Sequence, residues 1–235
     1  MKALISLEIR RSSLRPYHKA ALICSVTMLV FYYFMASIPL IDPTETDIGL
    51  FSSYEFLFSL NHLLSMAAFT ILGSVMGARF IVEEYTGARA ILLFSYPVSR
   101  RKIMGAKLCL VFFYSTAAML LCGIATGFFF TLTECFFPIC TDTMTGTMAA
   151  WIFFSLLFHS LLAGFLALLS SWIGFLKTSV PVTIVSGVII SCVVCQILSA
   201  VYIFHPALFL VTGVAAAGAV TAIKHLSRYV ENMEV

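Results

Sequence analysis

Charge is scarce in this 235-residue chain: Asp, Glu, Lys and Arg together make up 11%, against about 25% in an ordinary soluble domain. Hydrophobic types reach 61%, and mean hydropathy is +1.03. A globule so composed could not cover its own surface with polar groups, whereas a bilayer accepts it. No segment alternates apolar and polar residues over about ten positions, which argues against a membrane β-barrel. A cleavable leader is not evident either. Residues 1–19 are mixed and carry five basic groups, and the apolar run after them is long enough to be a retained first span.

Catalytic signatures are missing as well. A phosphate-cradling loop needs GxxxxGK[ST], and the nearest approach, Gly174 to Thr178, lacks the glycine before Lys177. His-Glu-x-x-His does not occur, no Gly-x-Ser-Gly accompanies His159, and no Asp lies within an apolar run. An enzyme is therefore not expected, and this chain is expected to hold no cofactor of its own.

What is present is a series of uncharged runs: 20–41, 56–78, 108–133, 143–176 and 178–223. About 20 apolar residues cross the hydrocarbon core as a helix. The last run is long enough for two helices, and His205-Pro206 supplies the break, because proline removes a donor and disfavours helix at the preceding residue. The expected fold is all-α and polytopic, with six transmembrane helices at 20–41, 56–78, 108–133, 147–176, 178–202 and 206–223. Residues 1–19 form a cytoplasmic-face segment, 79–107 a cytoplasmic loop and 224–235 a cytoplasmic tail. Pro181 falls in a first helical turn, where the missing donor costs little.

Basic residues mark the cytoplasmic side. With both termini inside the cell membrane, the inner segments hold all 14 Lys and Arg. The outer loops hold only acids: Asp42, Glu45, Asp47, Glu55, Glu134 and Asp142. One span more or fewer would scatter the cations onto both faces. Cys135 and Cys140 share one outer loop and are either a disulfide or two free thiols. The other five cysteines lie in spans as small apolar residues.

The loop 79–107 is the longest between spans. It reads as acids (Glu83, Glu84), Gly87, Arg89, a short apolar stretch, then Tyr96-Pro97, Ser99, Arg100 and Arg101. The stretch 88–94 is too short to span and suits a short interfacial helix, with Ser99 capping the next. A plainer reading is a basic loop that only anchors topology.

The acidic entry, Gly87, the Leu-rich turn, Pro97-Val98-Ser99-Arg100 and Lys107 resemble the first inner loop of type-2 ABC exporter permeases. The six-span count and the N-terminal segment are similar too. The resemblance implies that the loop is a coupling helix docking on a separate ATP-binding cassette subunit, present in two copies, which would hold ATP and Mg. Glu83, Glu84 and Arg89 would lie near that interface, with Arg100 and Arg101 holding the next helix end. Residues 1–19 would lie on the inner surface as an interfacial helix in contact with membrane lipid. A second permease copy or a related permease would complete a dimer; nucleic acid is not an expected partner.

Asn61, His62, His159 and Gln196 are the polar residues inside spans, candidates for a substrate path or for plain helix-to-helix hydrogen bonds. No charge lies within a run, which argues against an ion-coupled carrier. Gly73-x-x-x-Gly77 and Gly123-x-x-x-Gly127 could bring helices close. The leading expectation is export of an amphipathic cargo: a peptide antibiotic or toxin, a drug or a lipid. The alternatives are a vitamin-capture subunit of an importer, or a non-transporting immunity or scaffold protein.

Overall fold

The computed structural model describes residues 13–41, 51–85, 100–140, 142, 144–199 and 205–231. Within them the chain forms six long helices: α1 (Arg15–Ile41), α2 (Tyr54–Gly77), α3 (Arg100–Phe136), α4 (Gly146–Leu176), α5 (Val180–Leu198) and α6 (Pro206–Glu231). Each is long and apolar enough to cross a membrane. In lipid a helix is the economical choice, because it satisfies its own backbone donors and acceptors.

Successive helices alternate in direction. His18, Tyr32 and Tyr33 of α1 meet Tyr114, Phe130 and Thr133 of α3 in rising order, so those two are parallel. Tyr17 meets Phe80 while Tyr32 meets Phe58, so α2 runs the other way. Ser74 meets Ser170 and Tyr85 meets Phe175, which sets α4 parallel to α2. The start of α1, the α2–α3 and α4–α5 connections and the end of α6 therefore share one end of the bundle. Every described Lys and Arg is at this basic end. Glu55, Glu134 and Asp142 are at the distal end.

α4 packs against α2, α3, α5 and α6, and α2 against α1, α3, α4 and α5. These two helices are the core pair. Their packing against each other and against α3 and α5 depends on missing side chains. A Cβ on Gly73 would stand 2.3 Å from Ser115 Oγ, one on Gly77 1.9 Å from Ser171 Oγ, and one on Gly187 2.2 Å from Ser74 Oγ. At Gly174 a Cβ would come within 2.8 Å of the Thr183 Cα. The seam is closed by Ser74 Oγ and Ser170 Oγ, 2.6 Å apart. Small residues that let backbones approach are the usual basis of helix association in lipid. Both sequence GxxxG pairs fall on contacts: Gly123 faces Leu156, and Gly127 faces Phe58.

Large side chains fill three layers around this seam. Tyr17, Phe80, Met104, Phe175 and Leu226 pack at the basic end. Met66, Phe69, Met119, Leu162 and Leu166 occupy the middle. Tyr32, Tyr54, Phe58 and Phe130 close the distal end, with Tyr32 stacked on Phe130 at 4.9 Å.

Several helices outrun the uncharged runs. α3 begins at Arg100 and ends at Phe136, and α6 continues past Ile223 to Glu231. α5 is shorter than the run 178–202, ending at Leu198. The largest difference is at the 79–107 loop. α2 continues through a π-helical turn, Ala78–Val82, and a 3-10 turn, Glu83–Tyr85. Residues 79–85 and 100–107 are thus helical, and Lys107 lies inside α3, fully buried. The physical reason is that charge does not end a helix; it only draws that turn toward a polar setting or a partner. The interfacial segment 1–12 and the coupling stretch 86–99 fall outside the described residues.

Candidate functional site

Two polar sites stand out in the bundle, one at the basic end and one in the distal half. At the basic end Lys107 projects from α3 toward the end of α2. Its Nζ donates to the Phe80 carbonyl at 2.9 Å and forms an ion pair with Glu84. The Lys107 side chain has no exposure, and that of Glu84 has 17%. The π turn shapes the acceptor. Its i→i+5 bonding, seen where Glu83 N–H reaches the Ala78 carbonyl, offsets the helical ladder around Phe80. Tyr85 adds an aromatic face with its centroid 6.0 Å from Lys107 Nζ. A lysine this buried needs both a counter-charge and hydrogen bonds to stay charged. The pair ties the last turn of α2 to α3 beside the connection 86–99.

The expected coupling residues separate into three sets. Glu84 is the structural partner of Lys107. Glu83 is half-buried on the same 3-10 turn, and Arg100 and Arg101 open α3, with Arg101 exposed. Gly87, Arg89 and Pro97 lie outside the described residues.

In the distal half, α2 and α4 bring His62 and His159 together, with ring centroids 6.1 Å apart and both rings buried. Ser155 lies between them, one helical turn before His159. His159 Nδ1 is 2.8 Å from the Ser155 carbonyl. A carbonyl only accepts, so Nδ1 carries the proton and Nε2 is the acceptor. The Ser155 Oγ lies 3.4 Å from His62 Nδ1 and 3.3 Å from His159 Nδ1, so one hydroxyl bridges the two rings. One turn of α2 presents a second set: Asn61 Nδ2 donates to the Met28 carbonyl at 3.0 Å, and Ser65 Oγ donates to Asn61 Oδ1 at 3.2 Å.

A cavity flanks each histidine. One of about 240 Å³ is lined by His159 with Phe56, Leu63 and Leu198. The other, of about 200 Å³, is lined by His62 with Phe58, Gly127 and Phe153. Of the four span polar residues His62 and His159 thus converge, while Asn61 bonds instead to α1 and to Ser65. Gln196 does neither: it is exposed on α5 and lines neither cavity. Ser155 and Ser65 were missed in the sequence. Their only signal is i, i+4 spacing from His159 and Asn61, which common serines in spans dilute.

The distal rim is held by Glu134. Its carboxylate accepts from the Tyr54 hydroxyl at 3.1 Å and from the Ile139 and Cys140 N–H groups at 3.1 and 3.2 Å. These bonds fold the start of the α3–α4 connection back onto α3. Cys135 and Cys140 are both free thiols. Burial, reinforced by the negative charges of Glu134 and Asp142, pushes the Cys140 thiol up to about 12. Across the rim, His205 Nε2 lies 3.0 Å from Glu55 Oε1, and its ring packs at a tilt against Trp151, with centroids 4.2 Å apart.

Six apolar helices with their backbone bonds satisfied internally define a multi-pass membrane protein. The chain is 27% identical over 190 residues, 80% of each chain, to YcbO, an uncharacterized protein of Bacillus subtilis (strain 168). No protein-family model matches the chain. No solved structure matches it.

Proposed function

We propose that this chain is the membrane-spanning permease subunit of an ATP-driven exporter, working with a separate ATP-binding cassette subunit. The observation that carries the reading is the buried Lys107–Glu84 pair. It joins the ends of α2 and α3 beside the connection 86–99, whose sequence resembles a coupling loop. A push on that connection would reach α2, the helix that bears His62, as a rigid displacement. Both termini and the connection would face the cytoplasm, as the one-sided cations imply. The cargo would be amphipathic, passing along a seam between two permease copies near the histidine cluster. The cavities beside the histidines are smaller than the ~300–1,000 Å³ of small-molecule pockets, which counts against capture of a vitamin at that cluster.

Native purification of the full chain tests the reading. An ATP-binding cassette subunit should co-purify, and recovery of the chain with no ATPase partner would refute it. Within a recovered complex, Glu83→Lys should uncouple ATP hydrolysis from transport while the complex stays folded. Glu84 is the wrong residue for that experiment, because its loss would strand Lys107.

A further inference from the structure

A groove runs up the outside of the bundle between the parallel helices α1 and α3, enclosing about 490 Å³. Small side chains line much of it, Ala21 and Ser25 from α1 and Ala117, Ala118 and Ala125 from α3, beside the exposed Leu22 and Leu121. Its lower mouth is polar. The Tyr114 hydroxyl lies 3.1 Å from His18 Nδ1, and both residues line the groove. Arg15, His18 and Lys19 are exposed on the first turn of α1. From Tyr114 to Ala125 the groove climbs about 16 Å at 1.5 Å per residue, about half the ~30 Å hydrocarbon thickness.

From these features we infer that the groove binds one anionic phospholipid of the leaflet at the basic end. An acyl chain lies over Ala21, Ser25, Ala117 and Ala125. The phosphate sits at the mouth between Arg15, Lys19 and His18. With the Tyr114 hydroxyl donating to Nδ1, the histidine keeps its proton on Nε2 and can donate to a phosphate oxygen. One guanidinium and one ammonium group at headgroup depth favour a net negative lipid over a zwitterionic one. Charge also selects the lipid over a second copy of this chain. A copy threaded the same way through the membrane would carry its own Arg15 and Lys19 at the same depth, so the two mouths would repel. The inference does not depend on the transport reading; it needs only a chain embedded in a bilayer.

The test uses the full chain in vesicles containing phosphatidylglycerol or phosphatidylcholine, each with a photoreactive group along one acyl chain. Peptide mapping should place phosphatidylglycerol adducts on the groove segments of α1 and α3, well above those on the exposed face of α5 around Val185 and Ile189. Ala117→Trp and Ala125→Trp, at exposed positions, should remove most groove adducts without changing thermal unfolding. Arg15→Gln with Lys19→Gln should lower the preference for phosphatidylglycerol roughly thirtyfold and leave phosphatidylcholine labelling unchanged. Even labelling of all lipid-facing helices would overturn the inference, as would equal labelling by the two lipids. Cross-links between copies through α1 and α3, with no lipid in the groove, would assign the groove to a dimer instead.

Discussion

Lys107 shows how one residue is misplaced by counting charge and placed by geometry. As the last cation before an apolar run it reads as a surface anchor; in the bundle it is sealed between Phe80, Glu84 and Tyr85. Removing one member of a buried pair strands the other, which costs about 3–5 kcal/mol. Lys107→Met should therefore lower stability by about 3 kcal/mol in a detergent unfolding titration, and adding Glu84→Gln should restore most of it. A double variant no more stable than Lys107→Met would show that the pair contributes little. Cys140 offers a second residue-scale test. A thiol pushed up to about 12 is protonated at pH 8, and the thiolate is the reactive form. An alkylating reagent at pH 8 should modify exposed Cys135 quickly and Cys140 slowly, with Cys140 gaining rate as pH rises toward 12. Glu134→Gln should speed Cys140, since it removes a raising charge. Equal rates for the two cysteines at pH 8 would contradict the assigned environment.

Among the helices, α2, α4 and α5 meet so closely that glycine is required by contact rather than by backbone angle. Gly174→Ala would drive a methyl to 2.8 Å from the Thr183 Cα, a backbone atom that can yield only if α4 and α5 separate. Overpacking of this kind costs about 1–3 kcal/mol, and a loss in that range is expected in the same titration. Gly213→Ala on α6 meets nothing within 4 Å and should be neutral. Comparable losses at the two sites would mean the seam is not close-packed. The tight α4–α5 turn has a cost of its own: Thr178 adopts φ 46, a left-handed conformation that β-branched residues disfavour. The helices themselves were legible, since each long uncharged run became one helix or, at His205-Pro206, two. Their ends were not, because a helix continues beyond lipid for as long as its turns find partners.

For the whole molecule, alternating helix directions gather the described cations at one end, as expected of an even number of spans. Which end faces the cytoplasm is a matter of threading, and labelling of intact cells decides it. Asp142→Cys, in a background lacking the native exposed cysteines, should react with an impermeant reagent on intact cells. Lys177→Cys should react only after the cells are opened. The reverse pattern would overturn the proposed orientation and the exporter reading with it.

Composition and run length were sufficient to establish a helical membrane protein of six spans, because the cost of placing charge or unpaired backbone in hydrocarbon leaves few other arrangements. Tertiary structure alone decided which polar residues meet. It joined His62, Ser155 and His159 while leaving Gln196 on the surface, and it gave Lys107 its acceptors 23 and 27 positions away in the chain. The reason is that burial in lipid follows from each segment's own residues, whereas a hydrogen bond between helices depends on rotation and register. Those are set by where small residues allow two backbones to touch.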